Sequence, residues 1–240
     1  MMKVFKAFLT ILSIVITLIF LLFTDRFELL YLFSALLCYI LSSAIHLLAH
    51  EFGHFIGGIS SGYTLLCLKL GPLNIILNRN RKVSLHWKSS LSGQCIMIPK
   101  KTLPVRYAAY NLGGIIANLA IITLSFILLI FSSYFASLLL VELLCVGVQK
   151  VLINSIPHKT NSIPNDGYIV KLLNNSLDVQ KDYSMYLNLY GKLFFDEKIS
   201  AKEFTYDREI TDNEDEMIYY NEIKEILSSQ ETADNNISNY

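Results

Sequence analysis

The sequence predicts a mainly α, polytopic membrane protein with four transmembrane helices, a small β-rich interfacial loop and a helical cytoplasmic tail. Three observations predict it. Apolar residues make up 53% of the chain and charged residues only 17%, against about a quarter charged in ordinary soluble domains. Four apolar stretches reach the roughly 20 residues that a helix needs to cross a bilayer. The zero formal net charge averages two unlike parts: residues 1–180 hold 14 Lys+Arg and 6 Asp+Glu, residues 181–240 hold 6 and 14. This pattern excludes a disordered chain, a collagen and a basic nucleic-acid-binding domain, so no nucleic-acid partner is expected. Residues 1–177 read as a membrane-embedded domain and residues 178–240 as an acidic tail.

The first span covers residues 4–23 and is interrupted only by Lys6, which can snorkel to the interface. It is too long for a signal peptide, and Thr24-Asp25-Arg26 is no small-residue cleavage site, so a retained anchor is expected. The second span covers about residues 29–58. In the loop that follows, 59–106, short apolar runs at Tyr63 to Leu70 and Leu73 to Leu77 flank Gly71-Pro72. Asn78-Arg79-Asn80-Arg81 reads as a turn before Lys82 to Trp87, and Gln94 to Ile98 as a further strand. These predict a small antiparallel sheet at the interface, anchored by Trp87. An edge strand there could pair with an extended substrate segment, or the loop could be a membrane-hugging connector.

The third and fourth spans, residues 107–131 and 135–156, are separated only by Ser132-Ser133-Tyr134 and form a tight helical hairpin. The tail carries Tyr183, Tyr186, Tyr190 and Phe194 at helical spacings, then a second helix over Asn213 to Leu227. It reads as a solvated appendage whose end, Ser228 to Tyr240, is disordered. The four cysteines, Cys38, Cys67, Cys95 and Cys145, lack C-x-x-C spacing and read as free thiols.

Basic residues stay on the cytoplasmic side. Lys3 and Lys6 precede the first span, eight Lys and Arg lie in the loop between the second and third, none lies between the third and fourth, and Lys159 and Lys171 follow. A multi-pass cell-membrane protein with both termini and the long loop cytoplasmic is the arrangement expected.

The second span ends in His50-Glu51-Phe52-Gly53-His54. Histidines four apart lie on one helical face and can grip one zinc, while the Glu beside the first is placed to act as general base. Ionisable groups in a membrane helix are costly and mark function. His46, one turn earlier on the same face, reads as a residue behind the metal ligands or lining their cavity, or as a packing histidine. A catalytic zinc takes three protein ligands, so a third is needed. Glu142 lies in the fourth span near its outer end. Asp166 follows that span on the cytoplasmic side, and could instead be the N-cap of the helix after it. Gly113, Gly114 and Ala117 could serve close helix packing, and Asn118 an interhelical hydrogen bond.

Three ordered motifs resemble the site-2 protease family of intramembrane zinc metalloproteases: His50 to His54, Gly114-x-x-x-Asn118, and Asn154-x-x-Pro157 leading to Asp166-Gly167. The resemblance covers about residues 29–175 and is closest to compact bacterial-type members. The spacing from Pro157 to Asp166 is longer than is usual in the family, and a second Asn-x-x-Pro, Asn161 to Pro164, lies between. The resemblance implies zinc held by His50, His54 and Asp166, Glu51 as general base, and Asn118 or Asn154 contacting substrate.

The function expected is therefore an intramembrane zinc endopeptidase that cleaves a membrane-associated peptide or single-span protein near the cytoplasmic face of the lipid bilayer. Two alternatives stand beside it. One is a zinc protease using Glu142 as third ligand; the other is a non-catalytic membrane partner or immunity protein with a vestigial metal site.

Overall fold

The computed structural model describes residues 2–24, 26, 28–77, 83–87, 93–100, 106–160, 163–195, 199, 204, 208 and 210–237. The side chains of residues 134, 135 and 230–237 are outside this description. The turn expected at Asn78 to Arg81 also lies outside it.

Four helices are long and apolar enough to cross a membrane: α1 (Met2–Phe23), α2 (Leu29–Ser60), α3 (Tyr107–Leu129) and α4 (Tyr134–Ser155). They agree with the expected spans to within a few residues. Each exposes large apolar side chains along its outer face, among them Ile11, Phe33, Leu37, Ile127 and Val148. A soluble monomer rarely carries so much contiguous apolar surface. At 32 residues and about 1.5 Å per residue, α2 is long enough to cross a core of about 30 Å and continue beyond it. Its buried residues cluster toward the C-terminal half and follow helical spacing: Ser42, His46, His50, His54 and Gly58. This stripe faces α3 and α4, and α1 lies against α4.

α2 and α3 approach closely because two glycines meet. A Cβ on Gly53 would collide with the Gly113 carbonyl, and one on Gly113 with the Gly53 carbonyl. Small residues permit such backbone approach.

Between α2 and α3 runs an antiparallel sheet of β1 (Tyr63–Leu70), β2 (Leu73–Leu77), β3 (Val83–Trp87) and β4 (Gly93–Pro99), in the order β3-β2-β1-β4. The expected strands are all present. On β3 the alternate residues Val83, Leu85 and Trp87 are each more than 60% exposed, an apolar face with strand periodicity. β4 occupies the other edge, against the C-terminal part of α2.

After α4 come a two-stranded hairpin, β5 (Lys159–Thr160) and β6 (Ile163–Pro164), then α5 (Asp166–Leu173), α6 (Leu177–Phe194) and α7 (Ile218–Ile237). Ser176 caps α6 by accepting from the Val179 N–H at 3.1 Å. The aromatic stripe of α6 is not a solvated face: Tyr183 and Leu187 share one buried core with Tyr63 and Met97 of the sheet, Tyr110 of α3 and Leu173 of α5. α7 adds Tyr219 to that core. The described tail helices are thus built onto the sheet. The helix α7 also runs through residues 228–237, where disorder was expected. A helix once nucleated gains a bond with each added residue.

Candidate metal centre

His50, Glu51 and His54 are all buried on α2. The two Nε2 atoms stand 3.0 Å apart, and Asp166 Oδ2 lies 3.1 Å from the first and 3.5 Å from the second. The group could hold a metal ion. Ligand atoms about 2.0–2.1 Å from a tetrahedral ion would themselves be about 3.3 Å apart, which is the spacing found.

The proton arrangement favours a cation. His54 Nδ1 donates to the Tyr110 carbonyl at 2.7 Å, so in the neutral ring Nε2 is a lone pair. Asp166 Oδ2 is buried without a hydrogen-bond donor among the described residues. Lone pairs converging on one point repel unless a positive charge sits between them. Burial alone would raise the Asp166 carboxyl, but positive charge at this point, here a proton on the facing imidazoles of His50 and His54, outweighs it and holds the group at about 2.

Asp166 reaches this point because Asn165, not Asp166, is the N-cap of α5. Asn165 Oδ1 accepts from the Tyr168 N–H at 3.0 Å and the His158 N–H at 3.1 Å. Its Nδ2 donates to the carbonyls of Ile153 at 2.8 Å and Ile156 at 2.8 Å. One side chain thereby ties the end of α4 to the start of α5. Asp166 then becomes the first helical residue, free to face the histidines. Gly167 completes the junction, since a Cβ there would strike the Ser155 carbonyl.

Gly114 leaves room for the imidazoles: a Cβ on it would fall 2.5 Å from His50 Nδ1 and 2.7 Å from His54 Nε2. Behind His50 lies a polar chain. His46 and Asn118 are wholly buried. The Asn118 amide lies 2.9 Å from His46 Nδ1 through Oδ1 and 3.3 Å from His50 Nδ1 through Nδ2, and His46 Nε2 lies 2.9 Å from the Leu143 carbonyl. With that amide orientation both His46 nitrogens must donate, and His50 keeps its proton on Nε2, where a metal would bind. Turning the amide over, which exchanges O and N in the same positions, resolves both conflicts. His46 is then neutral, Asn118 donates to it and accepts from His50 Nδ1–H, and His50 Nε2 is free as a ligand. Outer hydrogen bonds of this kind orient metal-binding histidines. Asn118 therefore touches the imidazoles; Asn154, the other residue expected at substrate, lines the cavity beside His50 and Glu51.

The Glu51 carboxylate rests against β4. A Cβ on Gly93 would collide with it, and the Cys95 main chain is within its hydrogen-bonding reach. Tyr110 Oη donates to the Cys95 carbonyl at 2.8 Å. Burial, and after it the Glu51 charge, pushes the Cys95 thiol up to about 12, so this cysteine stays protonated beside the site. All four cysteines are free thiols.

Glu142 is not brought to the histidines. It is buried, and Thr17 Oγ1 donates to its Oε1 at 2.6 Å. It lines a separate apolar cavity between α1, α2 and α4. Sequence reasoning missed the clamp of Asn165, the close approach of Gly93 to Glu51, and the part that Tyr110 plays. Only the first left a signal, since Asn before Asp-Gly at a helix start is a capping pattern.

No family model matches the chain, and no curated protein or solved structure matches it.

Proposed function

We propose that this protein is an intramembrane zinc metalloendopeptidase, a compact relative of the site-2 proteases, that hydrolyses a peptide bond of a membrane-associated peptide or single-span protein near the cytoplasmic face. The observation that carries the proposal is the convergence of His50, His54 and Asp166 with Glu51 buried beside them. The donors suit zinc: two imidazole nitrogens and one carboxylate oxygen leave a fourth position open, as in catalytic rather than structural sites. The four apolar helices, long enough to cross a membrane, support a site within a bilayer, and the basic loops favour a cytoplasmic location for both termini.

Zinc, when bound, supplies Lewis acidity to polarise the scissile carbonyl and acidify the attacking water. The remaining work falls to side chains. Glu51 takes a proton from the water and returns it to the leaving amine. The Tyr110 carbonyl holds His54, and His46 and Asn118 hold His50, each in one tautomer and orientation, while Asp166 completes the ligand set. Asn154, whose side chain has no hydrogen-bond partner among the described residues, is available to the substrate backbone. β4 is an edge strand next to Glu51, and a substrate segment extended along it would present a peptide bond to the base. Tyr110 occupies the Cys95 carbonyl, so the open stretch of edge lies toward Gly93.

The test is cleavage of a membrane-anchored reporter peptide by the purified, reconstituted protein. Cleavage that stops on chelation and returns with zinc supports the proposal; cleavage indifferent to chelation refutes it.

A further inference from the structure

The cavity beside His50 and Glu51, about 320 Å³ in volume, is also lined by two lysines, Lys6 of α1 and Lys150 of α4. Packing between these helices brings them together: Gln149 Nε2 donates to Thr10 Oγ1 at 2.8 Å, and Lys6 is one turn from Thr10 on α1. Both lysines are half-buried, and their charges are close enough to repel. Among the described residues neither makes an ion pair: the carboxylates within reach of a cation belong to the histidines, Lys159 and Arg208.

Two like charges held half out of water without a counter-ion cost free energy that an anion would recover. Asp166 and Glu51 are already committed, the first to the imidazoles and the second to the edge of β4. The missing anion is therefore expected from whatever occupies the cavity. A volume of this size is in the lower part of the range of small-ligand pockets.

We propose that Lys6 and Lys150 bind a carboxylate of the peptide substrate next to the scissile bond, so that the preferred substrates are acidic near the cleavage point or end there in a free C-terminus. The inference rests on the peptidase reading of the same cavity and names its substrate class.

The experiment measures binding and cleavage separately. Zinc-loaded Glu51→Gln protein in phosphatidylcholine nanodiscs is titrated with three fluorescent nonapeptides of Ala, Leu and Ser. One is a neutral C-terminal amide, one carries a free C-terminus, and one is an amide with a central Glu. At least one carboxylate form should bind about 10-fold or more tightly than the neutral amide. Which form gains tells side chain from terminus. The preference should fall below about 2-fold in Lys150→Gln and Lys6→Gln proteins that retain zinc, and persist in Lys150→Arg. Equal affinity for all three peptides, no binding of any, or a preference unaffected by both Gln variants would overturn the proposal. Cleavage of the same peptides by the protein with Glu51 intact reports on the hydrolase reading alone. Cleavage without carboxylate preference removes the role of the lysines and leaves the peptidase; carboxylate-dependent binding without cleavage does the reverse.

Discussion

His46 Nδ1 and the Asn118 side-chain amide meet at 2.9 Å, wholly buried between α2 and α3. The contact joins a histidine outside the candidate metal group to one within it, through a single amide. If its purpose is to set the His50 tautomer, His46→Ala and Asn118→Ala should each weaken zinc binding about 10- to 100-fold. Competition against a chelator of known affinity measures this. An affinity unchanged in both variants would reduce the chain to packing.

The ligand set separates two acids. Asp166→Asn should lose stoichiometric metal, while Glu142→Gln should keep it, as read by elemental analysis of purified protein. The pH behaviour follows from the depressed Asp166 carboxyl. Its folded pKa of about 2 lies below the ordinary value of an aspartate carboxyl, so its stabilising contribution is complete above that ordinary value and fades only as pH falls through the folded one. Metal released well above that range is then not caused by protonation of this carboxylate. That release should retain its midpoint when Asp166 is replaced by Glu.

Gly114→Ala offers a sharper geometric test. Alanine favours helix over glycine by about 1 kcal/mol, so α3 itself should not suffer. The added methyl would lie against both imidazoles, and zinc should be lost while helix content by circular dichroism is kept. Retained zinc would mean that the histidines have more room than the structure gives them.

Much of this architecture was legible in the sequence, and the reasons are physical. Span length and apolarity act over 20 residues at a time, so α1 to α4 emerged nearly to the residue, and Gly71-Pro72 marked the β1–β2 hairpin. His50, Glu51 and His54 were readable because helical periodicity alone places them together. Asp166 could be named from its side of the fourth span and from motif order, but not its contact with the histidines, because that approach depends on the Asn165 clamp across the α4–α5 junction. The contact of Asn118 with both His46 and His50 depends on the relative depth of two helices, which no local pattern encodes. Lys150 carries no local signal, since only the packing of α1 on α4 brings it to the cavity. The tyrosines of α6 announced an amphipathic helix but not its partner.

That partner is the sheet, so the tail contributes to the fold. Leu187→Ala, in the core shared with Tyr63 and Met97, should cost about 2–5 kcal/mol. Thermal unfolding in detergent measures it. A cost under about 0.5 kcal/mol would restore the tail to an appendage.

The central claim is that Glu51 is the base of a zinc peptidase whose metal is held by other residues. The most direct test pairs two readings on one variant, Glu51→Gln: zinc per chain, and cleavage of a reconstituted membrane-anchored peptide. The account predicts one zinc per chain, as in the wild type, with cleavage reduced by at least about 100-fold. Undiminished cleavage with zinc in place would contradict it.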